Sequence, residues 1–157
     1  VFMDKRHLPE DFKEFLLLLN NNSVDYILVG GWAVGFYGYP RFTADIDIFI
    51  SISNANIEKI MIAMQEFGIP SFSREMLTTP GHVFRIGRTP LLIEVINEIS
   101  GLSFDESFKN KEYIELDNEL NVPIIGFEDL ITNKSSTDRS KDKADLEYLL
   151  KIRDTLK

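Results

Sequence analysis

Cysteine is absent from the 157 residues, which excludes a disulfide framework and any thiolate zinc site and leaves carboxylates as the ligands for a hard metal ion. Histidine is nearly absent too: His82 has no second histidine near it, only His7 toward one end, and reads as a structural or surface residue. Long apolar runs are missing. Stretches such as 15–19 and 91–93 fall far short of the roughly 18 residues that span a bilayer, and no signal-peptide pattern stands at the N-terminus, so a cytoplasmic protein without a membrane partner is expected. Positive charge is in deficit. A formal net charge of −8 opposes non-specific binding to nucleic acid, which depends on cations neutralising phosphates.

That deficit is uneven. Residues 1–133 hold 10 Lys/Arg against 20 Asp/Glu, whereas 134–157 hold 7 against 5, so an anionic ligand is expected to seek the C-terminal segment. A composition of 44% hydrophobic and 27% charged residues is that of an ordinary globular protein, and the length suits one domain. Its mixed core is expected at about 24–126 and a helical segment at about 127–157, with no repeat or low-complexity tract.

Pro9, Glu10 and Asp11 suit a helix start, and Phe12, Phe15, Leu16 and Leu19 supply its apolar face. Residues 20–23 end it. Tyr26–Val29 reads as a buried strand closed by Gly30-Gly31, with a second helix beginning just after the glycines on Trp32, Ala33, Val34 and Phe36. Trp32, Phe36 and Tyr37 suit packing better than base stacking. In 45–50 the alternation is of period two, so Ile46, Ile48 and Ile50 share one face of a strand and Asp45 and Asp47 the other. A helix follows at 53–67, closed by Gly68, then strands near 82–86 and 91–96 joined by a turn at 87–90. A capping box at Ser103–Glu106 predicts a short helix, followed by strands near 113–116 and 122–125 and helices at 127–133 and 141–156. Leu146, Leu149, Leu150 and Ile152 are expected to face inward on the last helix.

Two carboxylates on one strand face, with Cα atoms about 7 Å apart, repel each other unless a cation or solvent relieves them. Mg²⁺ suits such a pair, because it takes oxygen ligands and shares them with substrate phosphates. A glycine pair closing a strand at a helix start adds free N–H groups and room for a phosphate to approach. Each feature alone has a plain reading, a solvated strand face or a tight turn. Here they stand 14 residues apart.

Residues 29–33, Val-Gly-Gly-Trp-Ala, followed by 38–47, Gly-Tyr-Pro-Arg-Phe-Thr-Ala-Asp-Ile-Asp, resemble the signature of polymerase-β-like nucleotidyltransferases. Within that superfamily the chain is similar to the minimal bacterial branch that includes nucleotidyltransferase toxins of the AbiEii kind. The resemblance implies a mixed α+β fold, with a mixed sheet flanked by helices and helices at the C-terminus. It implies metal-dependent transfer of a nucleotidyl group from a nucleoside triphosphate to an acceptor hydroxyl, releasing pyrophosphate, with Mg²⁺ or Mn²⁺ as cofactor. Asp45 and Asp47 then hold metal, and the third carboxylate falls at Glu94, an acid among Leu92, Ile93, Val95 and Ile96. Glu94 could complete the metal site, accept the acceptor's proton, or lie on a solvated sheet face; Glu98 competes with it. Gly30, Gly31, Arg41, Thr43, Lys134, Lys141 and Asp142 are the implied nucleotide-binding set. Arg41 could equally pin its own loop. Arg139, Lys141, Asp142 and Asp145 could instead form a solvated helix start capped by Asp142. Many relatives carry Gly-Ser where Gly30-Gly31 stands, which removes a phosphate-contacting hydroxyl. The acceptor, whether RNA, protein or small molecule, is either small or presented by a partner chain, and an antitoxin partner or a non-catalytic nucleotide-binding role is the alternative.

Overall fold

The computed structural model describes residues 8–38, 45–116 and 120–156. In chain order the elements are α1 (Glu10–Asn21), β1 (Tyr26–Val29), α2 (Gly30–Phe36), β2 (Ile46–Ile50), α3 (Asn54–Phe67), α4 (Arg74–Thr78), β3 (Val83–Ile86), β4 (Ile93–Ile96), α5 (Phe104–Lys109), β5 (Glu112–Leu116), β6 (Leu120–Ile124), α6 (Phe127–Ser135) and α7 (Ser140–Thr155). Among the described residues the strands form one sheet, ordered β3-β4-β2-β1-β6-β5. Pairing is mixed: β2 with β4 and β1 with β6 run parallel, and the other neighbours antiparallel. The α+β expectation holds.

Local chemistry accounts for the elements. Pro9 precedes α1, Glu10 and Asp11 occupy its positive end, and Phe12, Phe15, Leu16 and Leu19 are buried. Ser53 caps α3 by accepting from the Asn56 N–H, and Gly68 ends that helix at φ +96, a left-handed conformation that suits glycine. The period-two reading of β2 also holds. Ile46, Ile48 and Ile50 are all but completely buried, each contributing roughly 1.5–3 kcal/mol relative to exposure. On the opposite face Asp47 is half-buried, while Phe49 beyond it sits edge-on beneath Phe104 of α5, with ring centres 5.2 Å apart.

Three details depart from expectation. The helix after the glycines includes them, with Val29 as its cap. The five-residue α4 has no strong periodic signal and was not foreseen. On α7, Leu149 is buried, but Leu146, Leu150 and Ile152 are only partly so, and the inner positions one and two turns earlier belong to Asp142 and Asp145. Those carboxylates can lie inside because α6 delivers Lys134 to them.

One buried amide joins the sheet to α3. Asn56 accepts from the Asp25 N–H at 2.7 Å and donates to the carbonyls of Asp25 at 3.0 Å and Ser51 at 2.7 Å, tying the start of β1 to the end of β2. Replacing it by alanine leaves the Asp25 N–H and the Ser51 carbonyl without these partners, so Asn56→Ala should lose about 1–2 kcal/mol in urea unfolding.

Candidate active site

The site is organised by a row of residues across the sheet. Val29 of β1, Asp47 of β2, Glu94 of β4 and Arg85 of β3 are consecutive register partners, so Asp47 and Glu94 stand side by side on parallel strands. Burial, then the charge of Glu94, raises the Asp47 carboxyl from 3.8 to about 6; Lys141 and Lys134 pull it down, and Asp45 pushes it up. Glu94 pairs with the Arg85 Nε at 3.3 Å. Asp45, at the entry to β2, accepts from the Leu92 N–H and the Thr89 hydroxyl, each at 3.2 Å.

Gly30 closes β1 at φ +71, and a Cβ there would collide with the Asp47 carboxylate, which lies over the glycine backbone. Both the backbone and the space therefore require glycine. Gly30→Ala should cost about 1–2 kcal/mol from the left-handed backbone alone. It should also push the Asp47 carboxylate from its place over the glycine.

Gly30 and Asp47 open onto a cleft of about 650 Å³ whose walls include Phe49 and Phe104, Glu98 and Asn97 beyond β4, and Asn133, Lys134, Thr137 and Arg139 from the α6–α7 corner. The fold thus brings Gly30, Asp47 and Lys134 together. Gly31 is buried in the first turn of α2. Asp45 and Glu94 flank Asp47 in the sheet rather than lining the cleft; Lys141 is exposed on the first turn of α7, with its charge felt at Asp47. Arg41 and Thr43 lie outside the described residues.

Lys134 is 4% exposed, and its ammonium meets Asp142 at 2.8 Å and Asp145 at 3.2 Å. Asp142 is not a helix cap. Arg139 occupies the cap position without a side-chain capping bond, and Asp142 instead accepts from Lys134, the Thr137 hydroxyl and the Arg139 Nε. Burial alone would raise the Asp142 carboxyl, but the hydrogen bonds from Lys134, Thr137 and Arg139 outweigh it and hold the group at about 2. Asn97, unmarked in the sequence, also serves the cleft. Its amide receives the Gly81 N–H and donates to the carbonyls of Leu77 and Thr79, all at 2.9 Å, fixing the α4–β3 connection against the wall.

The donor set around Asp47 suits a hard divalent cation, because two adjacent carboxyls, one of them with a raised pKa, gain most from an added positive charge. Among the described residues no three His, Cys, Asp or Glu side chains converge to cage an ion. Such a set fits an ion that completes its shell with substrate phosphate and water.

The model of the family described as "Nucleotidyl transferase of unknown function (DUF2204)" matches residues 9–157. No curated protein matches the sequence. Among solved structures, the lincosamide antibiotic adenylyltransferase LnuA with lincomycin bound shares the fold at a TM-score of 0.60, with 18% identity over 94% of this chain and 99% of that one. A putative nucleotidyltransferase from Thermotoga maritima does so at 0.54, with 17% identity over 96% of each chain.

Proposed function

The chain belongs to the DUF2204 family of nucleotidyl transferases, and from that membership we propose that it transfers a nucleotidyl group from a nucleoside triphosphate to an acceptor hydroxyl, with pyrophosphate leaving. The observation that carries this reading is the apposition of Gly30 and Asp47 at the head of a cleft that also receives Lys134 and Arg139. Gly30 meets the cleft directly and Gly31 packs behind it in the first turn of α2, so the pair would serve phosphate binding through Gly30, and Lys141 adds positive charge nearby. Arg41 and Thr43 belong to the same nucleotide-binding set by their place in the motif.

Asp47, with Glu94 beside it and Asp45 at the strand entry, would hold Mg²⁺ or Mn²⁺ only together with substrate phosphate and water, since the three carboxylates do not converge by themselves. When bound, the ion supplies charge withdrawal from the phosphates and from the acceptor hydroxyl. The chain's own residues do the rest. The cleft walls place the acceptor oxygen against the α-phosphorus. As the new P–O bond forms and the bond to the pyrophosphate oxygen breaks, the hydroxyl proton passes to solvent, while Arg85 holds the Glu94 carboxylate beside Asp47.

Ligand-linked stabilisation tests this reading. With Mg²⁺ and a triphosphate at 100 times its Kd, the folded state gains about 2.7 kcal/mol, a rise in melting temperature of roughly 5–10 °C for a chain of this length. One or more of the four ribonucleoside triphosphates should produce it, and Asp47→Ala should remove it. A wild type that none of them stabilises contradicts the reading.

A further inference from the structure

The cations at the α6–α7 corner are not equivalent. Lys134 is almost wholly enclosed and spends two of its three N–H groups on Asp142 and Asp145, so its charge is matched twice over. Arg139 meets the same Asp142, at 2.7 Å, through Nε alone. Its side chain is 73% exposed on the cleft wall, and its other four N–H groups take no partner among the described residues.

Asp142 is a firm anchor for that contact. It is fully buried and is held from other directions by Lys134 at 2.8 Å and the Thr137 hydroxyl at 2.7 Å. A guanidinium clamped at Nε keeps its terminal fork free and loses little further rotamer freedom on binding, and that fork matches two phosphate oxygens at once. A lysine at this position could contact Asp142 or a phosphate, but could not present a planar fork while holding the anchor. The cleft Arg139 lines is the one that Gly30 and Asp47 head.

We infer that Arg139 is the side chain that grips the polyphosphate of the nucleotide, with Asp142 as its positioning residue and Lys134 as the buried counter-charge that lets Asp142 stand inside the protein. This inference rests on the nucleotidyl-transfer reading of the cleft and divides the work among three charged residues that the sequence presents as one basic motif. Lys134 supplies structure, and Arg139 supplies phosphate contact.

Titration calorimetry with inorganic tripolyphosphate and Mg²⁺ tests the polyphosphate contact apart from any base or acceptor. Arg139→Gln should weaken binding by about tenfold or more, the scale of losing a charge-assisted bidentate contact. Arg139→Lys should fall between the two. Lys143→Gln, which removes an equal charge from an exposed position on α7 away from the cleft, should bind like wild type. Urea unfolding of each variant confirms that the protein measured is folded. If Arg139→Gln binds tripolyphosphate as tightly as wild type, or if Lys143→Gln loses as much as Arg139→Gln, the inference is overturned and nucleotide binding by the cleft stands. If the wild type binds neither tripolyphosphate nor any of the four ribonucleoside triphosphates, both readings fall.

Discussion

Asp47→Asn should make the metal-free protein more stable and at the same time inactive. In the folded chain the Asp47 carboxyl titrates near 6 against 3.8 in the ordinary state, because burial and the neighbouring Glu94 oppose its charge. The sign follows from proton binding. Between those two pH values the folded state holds the proton more tightly than the unfolded state does, so stability falls as pH rises through that window and stays at its lower level above it. A shift of about 2 units corresponds to roughly 2–3 kcal/mol. Asparagine keeps the shape and removes the charge. In EDTA at pH 7.5, Asp47→Asn should therefore unfold at higher urea concentration than wild type by about 2 kcal/mol, and the two should converge near pH 4. Turnover should drop on the order of a thousandfold or more, as when a group that stabilises only transition-state charge is removed. Adding Mg²⁺ with triphosphate should restore stability to wild type and leave the variant unmoved. An Asp47→Asn protein no more stable than wild type at pH 7.5 would mean that the carboxylate carries no burial penalty for a ligand to relieve.

The second large effect is expected in the opposite direction. Lys134→Met leaves Asp142 and Asp145 buried without their shared cation. Breaking a buried pair by removing one partner costs about 3–5 kcal/mol, a large part of the 5–15 kcal/mol that holds a typical domain. Urea unfolding at pH 7 should show that loss. Wild type should show a related acid sensitivity. Asp142 is held at about 2 in the folded state, below its unfolded value, so its contribution is complete above the unfolded pKa and is lost as pH falls toward 2. Lys134→Met should have a flatter acid limb, because the interaction that protonation breaks is already reduced. A variant as stable as wild type would place Lys134 outside the structural role assigned to it.

How legible these features were depends on whether they are local. The strand Tyr26–Val29, the two faces of 45–50 and the helix stop at Gly68 follow from spacing and from residue types with narrow backbone preferences, and the fold has them where periodicity put them. The pairing of Asp47 with Glu94 depends on strand order and register across 47 positions of chain, which no local pattern encodes. The acid among aliphatics at Glu94 was the only trace of it. On α7, helical spacing favoured Leu146, Leu150 and Ile152 as inward residues, yet Asp142 and Asp145 take buried positions because their partner Lys134 arrives from another helix. Hydrophobicity patterns cannot register a buried charge whose cost is met by a residue elsewhere. The basic C-terminal segment was readable as an attractor for anions; that one cation is enclosed and another exposed was not.

Label transfer tests the central claim most directly. Each α-labelled ribonucleoside triphosphate is incubated with cell lysate and Mg²⁺, in the presence of wild type or of Asp45→Ala/Asp47→Ala, and the products are separated. The expected result is label from at least one triphosphate appearing on a new species with wild type alone. Label transferred equally by both proteins, or by neither, would contradict the assignment of nucleotidyl transfer to the Gly30–Asp47 cleft.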